Sequence, residues 1–266
     1  MQIVGSVQIK NEDMYIEQII LNILEFCDKI IITDHQSSDR TFEICKRLAG
    51  TYSKIELISI TSPYEAAIAL EPYYGTDTWI FGVDGDEIYD PRGLKTMRQK
   101  LLNGDFAKDW CIFGSVFNVT TLDKNKKRAK GYLAPPSRPM TKLYNFSMID
   151  GWDNCPERLL GDEIRFKEGF NSKLRRYLHL EELWDEAYFR CLHMPFMKRS
   201  SQQKIRLART RLNPDELNRI RLEKSFPMQV FRTMQIYIMQ FFGVDWKNQK
   251  YRRGPLVEKD VSVFFS

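Results

Sequence analysis

Apolar residues follow two different spacings in the first half of the chain. Short continuous apolar runs, which are typical of buried strands, occur at 2–9, 29–33, 54–60, 78–83 and 110–119. Between these runs the apolar residues recur every three to four positions, which predicts helices at about 12–27, 41–49, 64–74 and 92–102. Strands that alternate with helices predict an α/β fold, in which helices flank a mainly parallel sheet.

The pattern changes near residue 120. A lysine-rich run at 123–130 predicts the tip of a hairpin, and the proline-rich stretch 134–139 predicts a rigid connector. Short apolar runs and polar loops then mix over 140–195. This mixed pattern predicts a second, less regular layer that follows the part of the chain in which strands and helices alternate.

The last part of the chain has helical patterns. Asn213 and Pro214 have the positions of a helix cap and of a first helical turn. We therefore predict one domain over 1–200, with halves at 1–119 and 120–200, and a helical C-terminal extension over 201–266.

Three carboxylates lie at the end of the predicted strand 78–83. Asp84, Asp86 and Glu87 follow an apolar lead-in, which places their turn at the end of a core strand. Carboxylates this close repel one another and resist desolvation, and a divalent cation that carries phosphate would stabilise them. The sequence therefore predicts a Mg²⁺ or Mn²⁺ site here, with an acidic surface turn as the alternative.

Two further polar clusters follow the first two predicted strands. They are Lys10, Asn11 and Glu12 after the first strand, and Asp34, Ser37, Asp39 and Thr41 after the second. The first cluster alone is typical of an ordinary helix start. The carboxyl ends of parallel strands are where open α/β sheets bind ligands, and a nucleotide base or ribose would suit the second cluster. Ser38 or Asp39 is also placed to cap the helix that follows.

Composition narrows the class of protein. Forty basic and thirty-five acidic residues give a net charge of +5, which is too modest for a dedicated nucleic-acid binder. The five cysteines are scattered without a C-x-x-C pair, which argues against a disulfide framework and for a reducing compartment. The N-terminus does not have the pattern of a signal peptide, and no run approaches the ~18 apolar residues of a membrane span. These features predict a cytoplasmic protein without nucleic-acid partners.

The three strand-end motifs together resemble those of the family 2 glycosyltransferases, which have the GT-A fold. In that family the first strand is followed by a Lys-Asn-Glu-type segment, the second by Asp-x-x-Ser-x-Asp-x-Thr, and the fourth by D-x-D. The matching residues here are Lys10, Asn11 and Glu12, then Asp34, Ser37, Asp39 and Thr41, then Asp84 and Asp86. The resemblance extends from residue 3 to about residue 200. His35, Gln36 and Arg40 replace the smaller residues usual around the second motif, so donor specificity does not transfer.

The resemblance implies a metal-dependent, inverting sugar transfer. The donor would be a nucleotide-diphosphate sugar, such as a UDP-, GDP- or dTDP-sugar, and the acceptor a hydroxyl of a glycan or glycolipid. Synthesis of a surface polysaccharide or lipopolysaccharide is the implied context. Residues 1–119 would bind the nucleotide sugar and residues 120–200 the acceptor.

The resemblance also implies roles for individual residues. The residues that would hold the nucleotide sugar are Lys10, Asn11, Glu12, Asp34, Ser37, Asp39 and Asp84. Lys198 and Arg199 are candidates for the diphosphate contact, with a solvated surface as the alternative. Asp86 and His193 would hold the metal, and a neutral imidazole suits Mn²⁺ better than Mg²⁺. A buried structural histidine is the alternative for His193. The base would be Glu157, with Asp153 as the other candidate, whereas His179 is interpreted as structural.

A predicted helix at 226–242 has an apolar face that is followed by basic residues. The apolar residues are Phe226, Val230, Met234, Tyr237 and Phe241, and the basic residues are Lys247, Lys250, Arg252 and Arg253. A helix packed on the domain, or a dimer contact, is one interpretation. The other is an interfacial helix, with 226–253 as a peripheral contact at the inner face of a membrane.

Two other functions stay open. A nucleotidyltransferase shares the α/β sheet and a carboxylate-bound metal, but would need a glycine-rich basic loop where this chain has Lys10, Asn11 and Glu12. A non-catalytic nucleotide- or glycan-binding module with a degenerate site is the alternative outside enzymes. The retained carboxylates argue against such a module, whereas Arg40 and Pro156 depart from the usual pattern and leave it open.

Overall fold

The computed structural model describes residues 1–62, 65–139, 141–153, 163–203, 225–241 and 246–265. In the first part of the chain the elements are β1 (Gln2–Ile9), α1 (Ile16–Ile23), β2 (Lys29–Asp34), α2 (Thr41–Thr51), β3 (Ile55–Ser59), α3 (Glu65–Ile68), β4 (Thr78–Asp84), β5 (Glu87–Tyr89) and α4 (Pro91–Leu102). They confirm the predicted alternation of strands and helices. Two helices are shorter than predicted, since α1 spans half of 12–27 and α3 is followed by a separate 3-10 turn at Glu71–Tyr73.

The remaining elements are mostly short strands. They are β6 (Cys111–Phe113), β7 (Ser115–Asp123), β8 (Arg128–Ala134), β9 (Thr141–Asn145), β10 (Ile149–Trp152), β11 (Ile164–Phe166), β12 (Arg175–Tyr177), α5 (Leu178–Glu181), β13 (Arg190–His193), α6 (Phe226–Phe241), α7 (Trp246–Tyr251) and β14 (Val257–Asp260). The hairpin predicted around 123–130 is confirmed, since β7 and β8 pair antiparallel across it. The helix start predicted at Asn213 lies outside the described residues.

A seven-stranded sheet carries the fold, in the order β12-β6-β9-β4-β1-β2-β3. The four strands β4, β1, β2 and β3 are parallel neighbours, and β9 runs antiparallel to β4 and β6. A second sheet has the order β14-β8-β7-β13-β5. The predicted fold class, a mainly parallel sheet flanked by helices, is confirmed.

The strand predicted over 110–119 is two strands in two different sheets. β6 belongs to the seven-stranded sheet and β7 to the five-stranded one, with Gly114 between them. A Cβ on Gly114 would lie 2.7 Å from the backbone oxygen of Phe189. The chain can therefore change sheets here because glycine allows this close backbone approach, which a continuous apolar run does not reveal.

The C-terminal extension is not entirely helical, and that part of the prediction is wrong. β14 pairs antiparallel with β8 and adds an edge strand to the second sheet. Val261 and Phe264 are buried just after it, and the Phe264 ring stacks on Trp184. These apolar anchors attach the end of the described chain to the domain.

Both faces of the large sheet are covered by apolar side chains. On one face α1 buries four isoleucines, Ile16, Ile19, Ile20 and Ile23. Each such side chain contributes roughly 1.5–3 kcal/mol when removed from water. On the other face Trp110 stacks on Phe146 and meets Trp152 edge to face.

The cysteines that the structure describes, Cys27, Cys45, Cys111 and Cys191, are all buried. Burial raises the pKa of the Cys45 thiol to about 12. A thiol in this state is a poor nucleophile at neutral pH. None of the described helices combines the length and the apolar character that crossing a membrane requires.

Candidate active site

The three predicted motifs meet at one edge of the large sheet. Ile9 is paired with Asp34 between β1 and β2, and Gln8 is paired with Asp84 between β1 and β4. Asp34 and Asp84 therefore leave the sheet at nearly the same level, on either side of β1. The carboxyl ends of the strands form this edge, as the sequence predicts.

The loops after β1 and β2 are joined by hydrogen bonds. Asn11 has a φ of 57°, a left-handed conformation that asparagine tolerates. Its backbone N–H donates to Ser37 Oγ at 2.9 Å, and its side-chain oxygen accepts from the Ser38 N–H at 2.8 Å. The Glu12 N–H donates to Thr41 Oγ1 at 2.8 Å. The first two motifs therefore form one continuous surface.

Asp34 is buried beneath this surface. One carboxylate oxygen accepts the Ser37 N–H at 3.0 Å. The other oxygen is also buried and accepts no hydrogen bond from the described residues. A buried carboxylate oxygen is costly without a donor, so a ligand N–H or O–H group placed against it would be stabilising.

Asp39 was predicted as a helix cap and a nucleotide contact. A cap at Asp39 would require α2 to begin at residue 40, but the helix begins at Thr41. Arg40, the residue directly before the helix, makes no side-chain capping hydrogen bond. Asp39 still accepts the Thr41 N–H at 3.0 Å. It thus satisfies the first backbone donor of α2 from just outside the helix.

The three carboxylates after β4 do not share one environment. Glu87 is fully buried and accepts the Asp84 N–H at 3.2 Å and the Tyr89 hydroxyl at 3.0 Å. Burial and then the Glu87 charge raise the pKa of Tyr89 well above its usual range. Glu87 therefore stabilises the turn from inside, and Asp84 and Asp86 lie at the sheet edge.

Strand β5 brings Asp86 beside His193. β5 pairs antiparallel with β13, and the Met194 N–H donates to the Asp86 carbonyl oxygen at 2.9 Å. Nε2 of His193 lies 3.8 Å from Oδ1 of Asp86, and both side chains are buried. The two residues predicted as metal ligands are therefore neighbours, although 107 positions separate them in the sequence.

Asn118, which the sequence analysis did not identify, orients the His193 ring. The two residues are paired between β7 and β13, and Asn118 Oδ1 lies 2.8 Å from His193 Nδ1. With this oxygen as acceptor, Nδ1 carries the proton and Nε2 presents its lone pair to Asp86. Histidines that bind a metal through one ring nitrogen typically donate the N–H of the other ring nitrogen to an acceptor of this kind.

The donor set fits a divalent cation. A separation of 3.8 Å is too long for a hydrogen bond, whereas two ligands of one cation at about 2.1 Å each lie roughly 3–4 Å apart. Among the described residues, no group of three or more His, Cys, Asp or Glu side chains could hold a metal. Two protein ligands, Asp86 and His193, suit a cation that also binds substrate phosphates.

Arg199 places a positive charge among the carboxylates. Its Nη1 forms an ion pair with Oδ2 of Asp86 and lies 3.3 Å from Oε1 of Glu12. The chain therefore supplies part of the positive charge that these acids require. Lys198 and Arg199 are both candidates for the diphosphate contact, and Arg199 is the one that reaches the carboxylates. Burial and then the Asp86 charge raise the pKa of Tyr15.

Segment 199–203, which follows β13 and starts with Arg199, crosses the loops after β1 and β2. Ser200 Oγ donates to Asp39, and the Ser201 N–H and Oγ both donate to Asp13. Burial alone would raise the pKa of Asp13, but the bonds from Ser201 and the Arg40 charge lower it overall. The segment therefore fixes both loops in place.

Of the two candidates for the base, the structure describes Asp153. Asp153 follows β10 and forms an exposed ion pair with Arg165, which raises the pKa of the guanidinium. Glu157 lies outside the described residues. Neither role is decided by this arrangement, and both stay predictions.

The contacts that the structure shows for the other two histidines involve residues other than Asp86. His179 is buried next to the rings of Phe113 and Tyr177, and burial lowers its pKa. Nε2 of His35 lies 2.8 Å from the Thr61 carbonyl oxygen, at the edge of the loop after β2. The contacts of His179 agree with its interpretation as a structural residue.

Three solved structures match parts of this chain. TarS of S. aureus, residues 1–349 in complex with UDP, has 14% identity and a TM-score of 0.35, with 55% of this chain and 47% of that chain covered. The mannosyltransferase PcManGT of Pyrobaculum calidifontis, in complex with GDP-Man and Mn²⁺, has 18% identity and a TM-score of 0.33, with coverages of 45% and 36%.

Glucosyl-3-phosphoglycerate synthase of Mycobacterium tuberculosis, in complex with Mn²⁺, UDP-Glc and phosphoglyceric acid, has 19% identity and a TM-score of 0.34, with coverages of 47% and 46%. The aligned part spans less than half of the length of each of these three proteins. A search of curated proteins gives no match.

The sequence profile described as glycosyl transferase family 2 matches residues 7–206. The matched region contains all three strand-end motifs, together with His193 and Arg199. It covers about three quarters of the 266 residues, and it confirms the family that these motifs predict. The chain belongs to glycosyl transferase family 2.

Proposed function

We propose that this protein transfers a sugar from a nucleoside-diphosphate sugar to a hydroxyl group of a glycan or glycolipid acceptor. The observation that carries the proposal is the convergence of the three motifs, with Asp86 held between His193 and Arg199 at the sheet edge. Family membership supports the same reaction class.

The nucleoside would lie on the joined loops after β1 and β2. Lys10, Asn11, Glu12, Ser37 and Asp39 would line this surface. The buried Asp34 oxygen that accepts no bond from the described residues is a suitable acceptor for a base or ribose donor group. Asp84 leaves the sheet beside it and would contact the ribose or the sugar, and Lys198 would contact the diphosphate.

Asp86 and His193 would hold Mn²⁺ or Mg²⁺. Such a cation, when bound, stabilises the negative charge that develops on the leaving diphosphate. Asn118 keeps the His193 ring in the orientation that presents Nε2 to Asp86. The imidazole nitrogen favours Mn²⁺ over Mg²⁺.

Inversion requires a base on the acceptor side. The acceptor oxygen attacks the anomeric carbon as the bond to the diphosphate breaks, and the hydroxyl proton goes to a carboxylate. The transition state is oxocarbenium-like, as in glycoside hydrolysis. Glu157 is our first candidate for this carboxylate and Asp153 the second. Glu157→Gln would abolish transfer and leave donor binding intact, whereas the same result for Asp153→Asn alone would exchange the two roles.

The acceptor belongs to a surface polysaccharide, a lipopolysaccharide or a related glycan in this proposal. We also propose that the protein is cytoplasmic and that residues 226–253 make a peripheral contact with the inner face of the membrane. These assignments rest on the sequence motifs and on the apolar, basic character of that segment.

A thermal-shift panel tests donor binding and its dependence on metal. UDP-, GDP-, dTDP- and CMP-sugars would each be added with and without Mn²⁺ to the wild type and to Asp86→Ala. A ligand that binds the folded state raises the melting temperature by mass action. We expect a Mn²⁺-dependent shift with one nucleotide, which is lost in Asp86→Ala. A shift with none of them would contradict the proposal and favour a degenerate module or a donor class outside this panel.

Product analysis separates the remaining classes. Slow hydrolysis of the donor without acceptor, with release of the nucleoside diphosphate, is expected for a glycosyltransferase. Release of pyrophosphate would identify a nucleotidyltransferase, and binding without any hydrolysis or transfer would identify a binding module.

A further inference from the structure

The C-terminal segment 250–254, which contains the end of α7, packs against β13 and the loop that follows it. The Tyr251 ring meets the His193 ring at a centroid distance of 4.9 Å and an angle of 77° between the ring planes. Both residues are buried. One position further along, the Arg252 guanidinium lies 4.3 Å from the centre of the Phe196 ring. Two successive side chains of the segment therefore contact the part of the chain that carries His193.

Segment 250–254 is anchored on the proline-rich connector 134–139 through Ser137. The buried Ser137 hydroxyl oxygen lies 3.0 Å from the Tyr251 carbonyl oxygen and 3.1 Å from that of Arg253, so the two carbonyl groups share one O–H donor. The same hydroxyl oxygen accepts the Arg253 N–H at 3.2 Å. One serine therefore holds the backbone at Tyr251 and two residues beyond it.

Two further contacts keep the segment close to the connector. The Arg138 N–H donates to the Lys250 carbonyl oxygen at 3.2 Å. Gly254 has a φ of 85°, and a Cβ at this position would lie 2.6 Å from Cγ of Pro136. Glycine therefore permits both the left-handed backbone and the close approach. The backbone is thus fixed on both sides of Tyr251.

Tyr251 and Asn118 restrict different motions of the His193 ring. The contact between Asn118 Oδ1 and His193 Nδ1 determines which ring nitrogen faces Asp86. The nearly perpendicular Tyr251 ring, in the edge-to-face arrangement that aromatic rings favour, opposes tilting of the imidazole plane. Because the lone pair of Nε2 lies in that plane, its direction depends on both neighbours.

We infer that Tyr251 is a positioning residue of the metal site and that Ser137 holds it there. The inference rests on the proposed binding of a divalent cation by Asp86 and His193. A partner that orients a ligand raises the affinity for the metal, because the ligand needs no reordering when the cation binds. Tyr251 lies beyond residue 206, where the match to the family profile ends. The C-terminal extension therefore supplies a part of the site that lies outside the matched region.

The affinity of the full chain for Mn²⁺, measured by electron paramagnetic resonance with saturating UDP, GDP or dTDP, tests this role. Tyr251→Leu fills most of the same volume without a ring and should lower the affinity about tenfold. Tyr251→Phe keeps the ring and should bind Mn²⁺ like the wild type. Ser137→Ala leaves both rings in place but releases the segment, and it should lower the affinity by a smaller factor.

Phe264→Leu is the matched control. Phe264 is a ring of the same C-terminal extension and is as buried as Tyr251, at 3% exposed, but it stacks on Trp184. This variant should lose stability in urea denaturation without a change in Mn²⁺ affinity. Proton resonance of the metal-free protein provides a second measurement, because the chain has only three histidines and His193→Ala identifies the signals of His193. Tyr251→Leu should shift these ring signals, since they lose the ring current of the tyrosine.

Equal Mn²⁺ affinity in Tyr251→Leu and the wild type would overturn the role of Tyr251 and leave the metal site standing. A loss of the same size in Tyr251→Phe or in Phe264→Leu would also overturn it, since the hydroxyl group or stability alone would then explain the effect. If Tyr251→Leu does not fold, an unchanged affinity in Ser137→Ala overturns the inference. A wild type that binds no Mn²⁺ with any of the three nucleotides would refute the proposed metal site itself, on which this role depends.

Discussion

Asp86 divides its two carboxylate oxygens between His193 and Arg199. Oδ1 lies 3.8 Å from Nε2 of the histidine, and Oδ2 forms the ion pair with the guanidinium. One oxygen therefore faces an imidazole nitrogen and the other faces a fixed positive charge. In the proposed site, a divalent cation would bind Oδ1 of Asp86 and Nε2 of His193.

Loss of either predicted ligand should weaken Mn²⁺ binding. In the presence of the nucleoside diphosphate that binds best, Asp86→Asn and His193→Ala should each lower the affinity for Mn²⁺ at least tenfold, because each removes one of two protein ligands. Electron paramagnetic resonance of free Mn²⁺ measures this directly. The exposed Glu25→Gln serves as the control. Unchanged affinity in both site variants would refute the assignment.

Asn118 should influence the metal without touching it. Asn118→Ala removes the acceptor that holds Nδ1 of His193, and we expect a loss of Mn²⁺ affinity of about 10- to 100-fold. Asn118→Asp keeps an acceptor at the same place and should restore most of the affinity. If both variants behaved alike, the effect would be one of packing, since Asn118 is fully buried.

The residues at the edge of the sheet could be predicted because the sequence patterns that mark them are local. Apolar runs mark β1, β2 and β4, and the polar residues that follow them lie together once these strands are parallel neighbours. Sequence reasoning could not predict β5, which has three residues, although its pairing with β13 is what places Asp86 beside His193. It also grouped Glu87 with the site, because spacing alone does not reveal that its carboxylate faces Tyr89.

Long-range partners were the other omission. Arg199 lies 113 positions from Asp86, and Ser200 lies 161 positions from Asp39. Neither residue has a spacing or a composition that indicates such a contact. Lys198 and Arg199 are equivalent candidates in the sequence for the same reason, since two adjacent basic residues cannot be distinguished until the direction of the backbone is known.

Gly85 should be intolerant of any side chain. A Cβ at this position would lie 2.6 Å from Cγ of Glu12, so Gly85→Ala must displace the Glu12 side chain. We expect a loss of donor hydrolysis on the order of 10- to 100-fold, as a displacement of about 1 Å near a reacting group can produce. Gly50→Ala is the control, because nothing lies within 4 Å of its Cβ. That helical substitution should preserve activity and stabilise the fold by roughly 0.5–1 kcal/mol.

Arg190 and Asp90 should contribute strongly to stability. Nε and Nη2 of Arg190 donate to one oxygen of Asp90 at 3.0 and 2.9 Å, and the other oxygen caps α4 by accepting two backbone N–H groups. Arg190→Met would leave a buried carboxylate without its cation, which costs about 3–5 kcal/mol. Urea denaturation measures this cost. Lys259→Met breaks the more exposed ion pair with Asp185 and should cost about 1 kcal/mol or less.

The bond between Ser201 and Asp13 should make stability depend on pH at its acidic end. The folded-state pKa of Asp13 is lowered from 3.8, so its contribution is fully present above that value and is lost as pH falls through the lower, folded-state pKa. Ser201→Ala removes one of two hydrogen bonds to the charged Asp13 and should cost about 1.5–3 kcal/mol at pH 7.

As the pH falls below 3.8 and through the lowered folded-state pKa of Asp13, the difference between wild type and Ser201→Ala should shrink, because protonation removes the charge that the Ser201 bonds stabilise. Urea denaturation at several pH values from 2.5 to 7 provides the measurement. Ser62→Ala is a suitable control, since the structure shows its backbone N–H, and not its hydroxyl, bound to Glu65. A difference between wild type and Ser201→Ala that stayed constant over the whole range would mean that Ser201 stabilises the segment independently of the Asp13 charge.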